Sequence, residues 1–375
     1  MQPISFPLGI AEGHYFCNRK LETKQLIRNI QQGTHTVLIS PRRYGKTSLA
    51  YKAIKESKLP NARVDLFMTT NAAEIERAII DGVNNLLSLV SNNAELLLGL
   101  IKDYIKLLKP SFEVSTHGLK IKLERTDKST SSANNIREAL QILECVLKKK
   151  STSAVLLIDE FQEIQRVAPD QGIEGAIRHV LQETKNIAVI FSGSHRHLLK
   201  NMFNDRSKPL YRLCDEIQLD RISEEDYLPF IDKFSHKQWG KGLPKAVTEK
   251  ILSYSECHAY YFNALYEKLF SHKTLPNGVT VDLIWNDLIL LKKKDLLRET
   301  KEFNITHKKV LVAIAHGIDH ELTGHTFLSY ADLAGSSVLR ALEYLEENDF
   351  IEKRGKRYYL IDPLLKAILN QLTYF

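Results

Sequence analysis

The stretch Thr36-Val37-Leu38-Ile39-Ser40-Pro41-Arg42-Arg43-Tyr44-Gly45-Lys46-Thr47-Ser48 constrains the fold more than any other in the chain. Four strand-forming residues run into a loop with a proline and a glycine, and a helical pattern begins near Lys46 and lasts to residue 57. A short apolar strand, a loop and a helix in succession make a βα unit, in which the helix crosses over to deliver the chain to a parallel strand. The alternation recurs: 62–67, 154–158, 187–191 and 216–219 read as further short strands, and 19–31, 72–108, 135–149 and 171–185 as helices, the second being one long helix or two. Strands that are apolar along their whole length need cover on both faces. The pattern therefore predicts an α/β fold, a five-stranded parallel sheet with helices on both sides.

From Ser223 the pattern becomes helical only, at 224–238, 244–255, 259–271 and 281–298, with Ser223 and Asp226 spaced as a capping pair. The last 75 residues change again. Helices at 306–316, 329–334 and 336–347 precede a segment, 350–360, that alternates around Gly355, the order of a winged helix. A second alternating segment, 112–123 around His117-Gly118, reads as a β-hairpin inside an insert of about 110–132 that ends in a polar linker. The resulting domains are an arm (1–15), a core (16–222), an all-α segment (223–299) and a winged helix (300–375). No repeat of 20–50 residues is visible, which excludes solenoids and propellers.

Composition narrows the function classes. The 375 residues are 43% hydrophobic and 26% charged, a globular balance. No window approaches the ~20 apolar residues of a membrane span, and the N-terminus lacks a basic stretch followed by an apolar one. Cys17, Cys145, Cys214 and Cys257 lie far apart without metal-ligand spacing. These features predict a cytoplasmic protein with free thiols and no membrane partner. The net charge of +7 suggests an acidic partner. The excess is local, however: 101–150 holds 11 Lys and Arg against 6 Asp and Glu, and 301–375 holds 9 against 10.

Two motifs carry chemistry. A loop between an apolar strand and a helix, ending Gly45-Lys46-Thr47, is the context of a phosphate-binding P-loop. Backbone N–H groups of Pro41 to Ser48, proline apart, would point at phosphate oxygens at the positive end of the helix. Lys46 would reach the terminal phosphates and the Thr47 hydroxyl would ligate Mg²⁺. Ser40 stands where the first glycine of the pattern usually falls. The second motif is Ala154 to Gln162, an apolar strand ending in Asp159-Glu160. On a strand beside the loop strand, Asp159 would lie near the metal, and Glu160 would serve as general base. After the next strand come Ser192-Gly193-Ser194-His195-Arg196, where Ser192 or Ser194 would orient the attacking water.

With these motifs in place, the sequence resembles the archaeal-type ATPase family of the AAA+ superfamily, near its signal-transducing STAND branch. The resemblance rests on Tyr15-Phe16-Cys17-Asn18-Arg19-Lys20, Ser40 to Leu49, Ile158 to Gln162, Ser192 to Ser194, Pro209-Leu210-Tyr211 with Arg212, Cys257-His258-Ala259-Tyr260 and Asp362-Pro363-Leu364-Leu365. It implies ATP and ADP as ligands with Mg²⁺. The nucleotide would contact Phe16, Asn18 and Arg19 in the opening segment, Pro41, Arg42, Arg43, Tyr44, Gly45, Lys46, Thr47 and Ser48 in the loop, and His258 at a helix start. Thr47 and Asp159 would hold the metal, and Glu160, Lys46, Asp159, Ser192 and Arg212 would act in hydrolysis. Arg206 and Arg196 compete with Arg212 as the arginine that meets the transferred phosphoryl group. Three positions depart from the family pattern: Cys257 and Ala259 replace a glycine and a proline beside His258, and Lys20 replaces an acidic residue.

The function expected is an ATP-binding, ATP-hydrolysing switch whose nucleotide state moves a helical lid and the winged helix to control a protein partner. The alternative is a DNA-binding winged-helix protein that keeps its nucleotide as a structural or regulatory ligand. Its phosphate contacts would be Lys353, Arg354, Lys356 and Arg357 at the wing, or the basic 101–150 segment. Acidic Glu343, Glu346 and Glu347 on the reading helix oppose it, and self-association stays open.

Overall fold

The computed structural model describes residues 6–91, Gly99, 108–115, 118–125 and 130–372. They fall into two compact units. The sheet unit comprises Arg19–Ser40 and Lys46–Leu219; the helical unit comprises the residues up to Asn18, Pro41–Gly45, and the chain from Asp220 onward.

In the sheet unit, α1 (Lys20–Gln32), β1 (Thr36–Ile39), α2 (Lys46–Ser57), β2 (Asn61–Asp65) and α3 (Ala72–Val90) come first. The hairpin β3 (Leu108–Ser115) and β4 (Gly118–Arg125) follows, then α4 (Ser132–Lys149), β5 (Ala154–Asp159), α5 (Glu163–Val167), α6 (Gly172–Leu181), β6 (Ile187–Ser192), α7 (Arg196–Asn204) and β7 (Asp215–Gln218). The sheet is five-stranded and wholly parallel, in the order β2-β5-β6-β1-β7. Every residue of β1, β5 and β6 is buried, as the unbroken apolar runs require.

One expectation is corrected. The strand carrying Asp159 does not neighbour the loop strand, because β6 lies between them. Leu38 pairs with Ser192 on one side of β6, and Ile158 pairs with Phe191 on the other. The polar end of β6 therefore stands between the start of the loop and the carboxylate pair. Near that end, the rings of Phe161, Phe191 and Phe203 pack at tilted angles with centroids 4.4–5.8 Å apart.

The hairpin is longer than expected. Its base is held by Leu108 and Leu123, both 1% exposed, and by Asn84 Oδ1, which accepts from the Leu123 N–H at 2.9 Å. The turn with His117, the side chains of Lys120 and Lys122, and part of the basic 101–150 segment lie outside the described residues.

The helical unit holds α8 (Glu224–Trp239), α9 (Lys245–Ser255), α10 (Ala259–Phe270) and α11 (Gly278–Glu299). After them come α12 (Ile305–Ala315), α13 (His325–Ala331), α14 (Gly335–Glu347), the wing strands β8 (Ile351–Arg354) and β9 (Arg357–Leu360), and α15 (Pro363–Leu369). Ser223 Oγ accepts from the Asp226 N–H at 3.2 Å and donates to its carboxylate at 2.8 Å, so the capping pair exists. The N-terminal segment packs into this unit. Phe6, 1% exposed, meets Tyr15, Phe230, Phe234, Tyr266 and Phe270 edge-on. Burying one such ring is worth about 1.5–3 kcal/mol, which anchors an otherwise turn-rich stretch. No helix among the described residues is long and apolar enough to cross a membrane, and none of the four cysteines is in a disulfide.

Candidate functional site

The carboxylate pair ends β5 in an unusual backbone. Glu160 has φ +51°, in the left-handed region that a non-glycine residue occupies at a cost of roughly 1–2 kcal/mol. Glu160 Oε2 accepts from the Gln162 amide at 2.6 Å, the Ser194 hydroxyl at 2.8 Å and the Ser194 N–H at 3.2 Å. Burial raises the Glu160 pKa, but the bonds from Gln162 and Ser194 and the charge of Lys46 outweigh it and leave the group below its ordinary value. It is therefore an ionised, oriented acceptor at neutral pH. A Cβ at Gly193 would stand 1.9 Å from Gln162 Oε1, so a larger residue there would displace the amide that orients Glu160.

Asp159, 6% exposed, is held on both oxygens. Oδ1 accepts from the Glu160 N–H at 3.2 Å and Oδ2 from Arg63 at 3.0 Å. Arg63 projects from β2, which pairs with β5 so that Asp65 faces Asp159. Its guanidinium also bonds Asp65 at 2.8 Å and the Tyr51 hydroxyl at 3.2 Å. Burial lowers the Arg63 pKa, but Asp159, Tyr51 and Asp65 raise it further, so the cation is secure. Sequence reading did not single out Arg63. The available signal was weak, a cation alternating with buried Ala62 and Val64 and two residues from Asp65.

The loop residues divide between the units. In the sheet unit, Lys46 is 8% exposed and its Nζ donates to the Ser40 carbonyl at 2.9 Å and its hydroxyl at 3.3 Å. Lys46 opens α2, with Thr47 half-buried and Ser48 buried in its first turn. Ser192 Oγ, at the end of β6, is buried and has no hydrogen-bond partner among the described residues. In the helical unit, Arg43 (φ +66°) and Gly45 (φ +93°) give the loop its turn, and the space where a Gly45 Cβ would stand is open to at least 4 Å. Pro41 is buried and Arg42 exposed.

Within the helical unit, Tyr44 is 3% exposed and meets His258 edge-on at 4.9 Å. His258 caps the start of α10 and is 2% exposed, which excludes a surface histidine. Cys257 before it has φ +58°, the reason a glycine would suit that position. Burial above all, then the charges of Arg221 and Arg43, push the His258 pKa down to about 3, so the ring is neutral. Its Nδ1 is buried and has no hydrogen-bond partner among the described residues. Phe16 and Asn18 are half-buried here, Asn18 at φ +49°. Arg19, at φ +60° in the sheet unit, is buried and pairs with Glu22 at 3.2 Å.

Other predicted residues are elsewhere. Arg212 is exposed on a turn, its guanidinium 5.1 Å above the Tyr211 ring, and Arg206 is also exposed. At the wing, Arg357 pairs with both oxygens of Asp319 at 3.1 and 3.2 Å, Arg354 pairs with Glu352, and Lys353 lies over Tyr358. Internal partners thus satisfy much of the cationic patch. The half-buried Arg221, between β7 and α8 in the chain, was not anticipated either.

Within the sheet unit, the orphaned Ser192 hydroxyl and a lysine turned onto its own loop carbonyl suit a phosphate-bearing ligand. The Thr47 hydroxyl and the Asp159 carboxylate are oxygen donors of the kind Mg²⁺ takes, few enough that phosphates and water would complete its shell.

A family model described as a probable winged helix domain matches residues 298–371. A Walker-type ATPase of Pyrococcus abyssi superposes with a TM-score of 0.68 at 15% identity, covering 96% of this chain and 97% of the other. The ORC2 protein of Aeropyrum pernix, solved in ADPNP–ADP complexes, superposes with a TM-score of 0.54 at 12% identity, covering 94% and 93%. No curated protein matches the sequence. The fold is therefore shared with the Walker-type ATPase of Pyrococcus abyssi: a five-stranded parallel sheet within a mostly helical chain, with a winged helix at the C-terminal end.

Proposed function

We propose that this chain, built on the fold of archaeal Walker-type ATPases, binds and hydrolyses ATP and uses its nucleotide state to set the position of its C-terminal helices and winged helix against a protein partner. The observation that carries the reading is Glu160, an ionised carboxylate at the end of a buried strand, aimed by Ser194 and Gln162 and within the field of Lys46. The similar Aeropyrum protein was captured with ADPNP and ADP, which supports a nucleotide ligand. The domain division 16–222, 223–299 and 300–375 belongs to this reading.

Backbone N–H groups at the N-terminus of α2 and the Lys46 ammonium would bind the phosphates, with Lys46 leaving the Ser40 carbonyl to do so. Arg42 and Arg43 add charge at the loop, and Phe16, Asn18 and Arg19 belong to the segment assigned to the base. Mg²⁺, held by Thr47 and Asp159, supplies charge neutralisation at the phosphate oxygens when bound. Arg63 keeps the Asp159 carboxylate in one orientation. Glu160 takes the proton of a water as its oxygen bonds to the γ-phosphorus, the bond from phosphorus to the β,γ-bridging oxygen breaks, and ADP and phosphate leave. Ser192, with its unused hydroxyl, would orient that water. Arg212 would reach the transferred group only from a neighbouring copy, given its exposure. His258 Nδ1 would offer its orphaned ring nitrogen to the nucleotide side of Tyr44.

Steady-state ATP hydrolysis with Mg²⁺ tests the reading. Turnover in the wild type that disappears in Glu160→Gln while ATP still binds is the expected result. Equal turnover in that variant removes Glu160 as the base, and absence of both binding and turnover overturns the function. The DNA-binding alternative is the weaker reading because Arg354 and Arg357 already have carboxylate partners.

A further inference from the structure

Outside the proposed chemistry, the half-buried Arg221 gathers five hydrogen bonds. Its side chain is 12% exposed, and all three guanidinium nitrogens are engaged within the helical unit. Nη1 donates to the Glu256 carbonyl at 2.9 Å and to its carboxylate at 2.5 Å. Nη2 donates to the carbonyls of Leu360 and Ile361 at 3.2 and 3.0 Å, where β9 ends. Nε donates to the Tyr44 hydroxyl at 3.4 Å. One planar group thus touches the nucleotide loop, the turn that ends α9, and the exit of the wing.

Two further links run in parallel. The second Glu256 oxygen accepts from Lys366 in α15 at 2.6 Å. Asp362 caps α15 through the N–H groups of Leu364 and Leu365 at 2.9 Å, and its other oxygen accepts from the Tyr261 hydroxyl, beside His258. Tyr44, His258, Tyr261 and Asp362 therefore form one run of contacts, and Tyr44, Arg221, Glu256 and Lys366 another.

Geometry makes the arginine hard to replace. Its five N–H groups form a rigid fork, and all five have acceptors here. A lysine in its place keeps the charge but supplies a single ammonium. Two wing carbonyls would then lose their donor, and a buried acceptor without a donor is costly. The strain at Glu256 (φ +46°) and Cys257 (φ +58°) is what points the Glu256 carbonyl and carboxylate at the same nitrogen.

We infer that Arg221 is the positioning residue that fastens the winged helix to the nucleotide loop, so that a nucleoside di- or triphosphate at residues 41–45 is felt at β9 and α15 through Tyr44 and Arg221. The inference rests on the proposed nucleotide site and adds its regulation. Loop, helix turn and wing are held by one cation, and a change at Tyr44 must be answered by the acceptors at the other end of the fork.

Hydrogen exchange of the full chain, read by mass spectrometry with and without ADP and Mg²⁺, tests it in wild type, Arg221→Lys and Lys366→Met. Without nucleotide, Arg221→Lys should exchange about tenfold faster or more across 351–369, the consequence of losing charge-assisted hydrogen bonds. With ADP, the wild type should change its exchange at both 256–258 and 351–369. The variant should bind ADP and respond at 256–258 but no longer at 351–369, a loss of response that a merely structural role would not produce. A wild-type response at 351–369 in Arg221→Lys overturns the inference, as does a wild type that binds ADP without any response there. A wild type that binds no ADP instead overturns the nucleotide reading, and the fastening is then judged by the unliganded comparison, where unchanged exchange refutes it. Should Arg221→Lys fail to fold, Lys366→Met decides in the same way, with a reduced ADP response confined to 363–369.

Discussion

The two charged clusters of this protein are built on opposite plans. Around Glu160 and Asp159 the carboxylates are oriented by neutral donors and by Arg63, whose side chain is 38% exposed, and a hydroxyl at Ser192 is left over. Around Arg221 every charge has a counter-charge or a carbonyl close by: Glu256 answers Arg221 and Lys366, and Tyr261 answers Asp362. A cluster with unspent hydrogen-bonding capacity is ready for a ligand. A cluster whose capacity is spent internally holds parts of the fold together, and breaking it leaves buried groups unpaired. Chemistry and transmission are thus assigned to different residues, and substitutions should separate them.

The largest effect is expected at Glu160. Glu160→Gln should lower ATP turnover by about 10²–10⁴, the usual worth of a general base, and leave ATP affinity nearly unchanged in a filter-binding assay. Lys46→Ala comes next, with about a hundredfold loss of nucleotide affinity by isothermal titration, as one or two charge-assisted hydrogen bonds to phosphate disappear. Wild-type affinity in that variant would place the phosphates away from α2 and break the comparison at its base.

His258 sharpens the comparison through pH. Its folded pKa of about 3 lies below the ordinary 6.5 because the neutral ring is buried near Arg221 and Arg43. Above pH 6.5 the folded and unfolded states are both unprotonated at this ring, and its contribution to stability is whole. As pH falls from 6.5 toward 3 only the unfolded state takes up the proton, so stability falls by up to about 1.4 kcal/mol per pH unit. His258→Asn should flatten denaturant-measured stability between pH 6 and 4.5 relative to wild type. Parallel curves would mean that the ring is protonated in the native protein.

Arg63→Gln should cost roughly 1 kcal/mol of stability, since the pair with Asp159 is partly exposed and screened. It should also raise the Mg²⁺ concentration needed for half-maximal ATPase activity. An unchanged Mg²⁺ requirement would reduce Arg63 to a surface contact. Smallest of all, replacing Lys353, Arg354, Lys356 and Arg357 together by Ala should change affinity for duplex DNA less than about threefold at physiological salt. A clear drop, with a flatter salt dependence, would restore the DNA-binding reading of the wing.

What was legible in the sequence was local. The strand, loop and helix at 36–57 need consecutive residues of fixed type, and so do Asp159-Glu160 after an apolar strand and Ser223 three residues before Asp226. The 3.6- and 2-residue periods of long elements survive in any context. Short elements escaped, α5, α7 and α15 among them, because fewer than three turns carry little periodicity. Phe6 escaped because its five aromatic partners are spread over 15–270.

Sequence by itself determined which segments form the core strands, that they lie in one parallel sheet, and which residues are candidates for phosphate chemistry, since each depends on near neighbours along the chain. Tertiary structure alone decided that β6 stands between β1 and β5, that Arg63 reaches Asp159 from the next strand, and that Arg221 meets acceptors at Tyr44, Glu256, Leu360 and Ile361. A buried charge can be satisfied by any acceptor the fold brings within 3.5 Å. Nothing in its own sequence neighbourhood records which acceptors those will be.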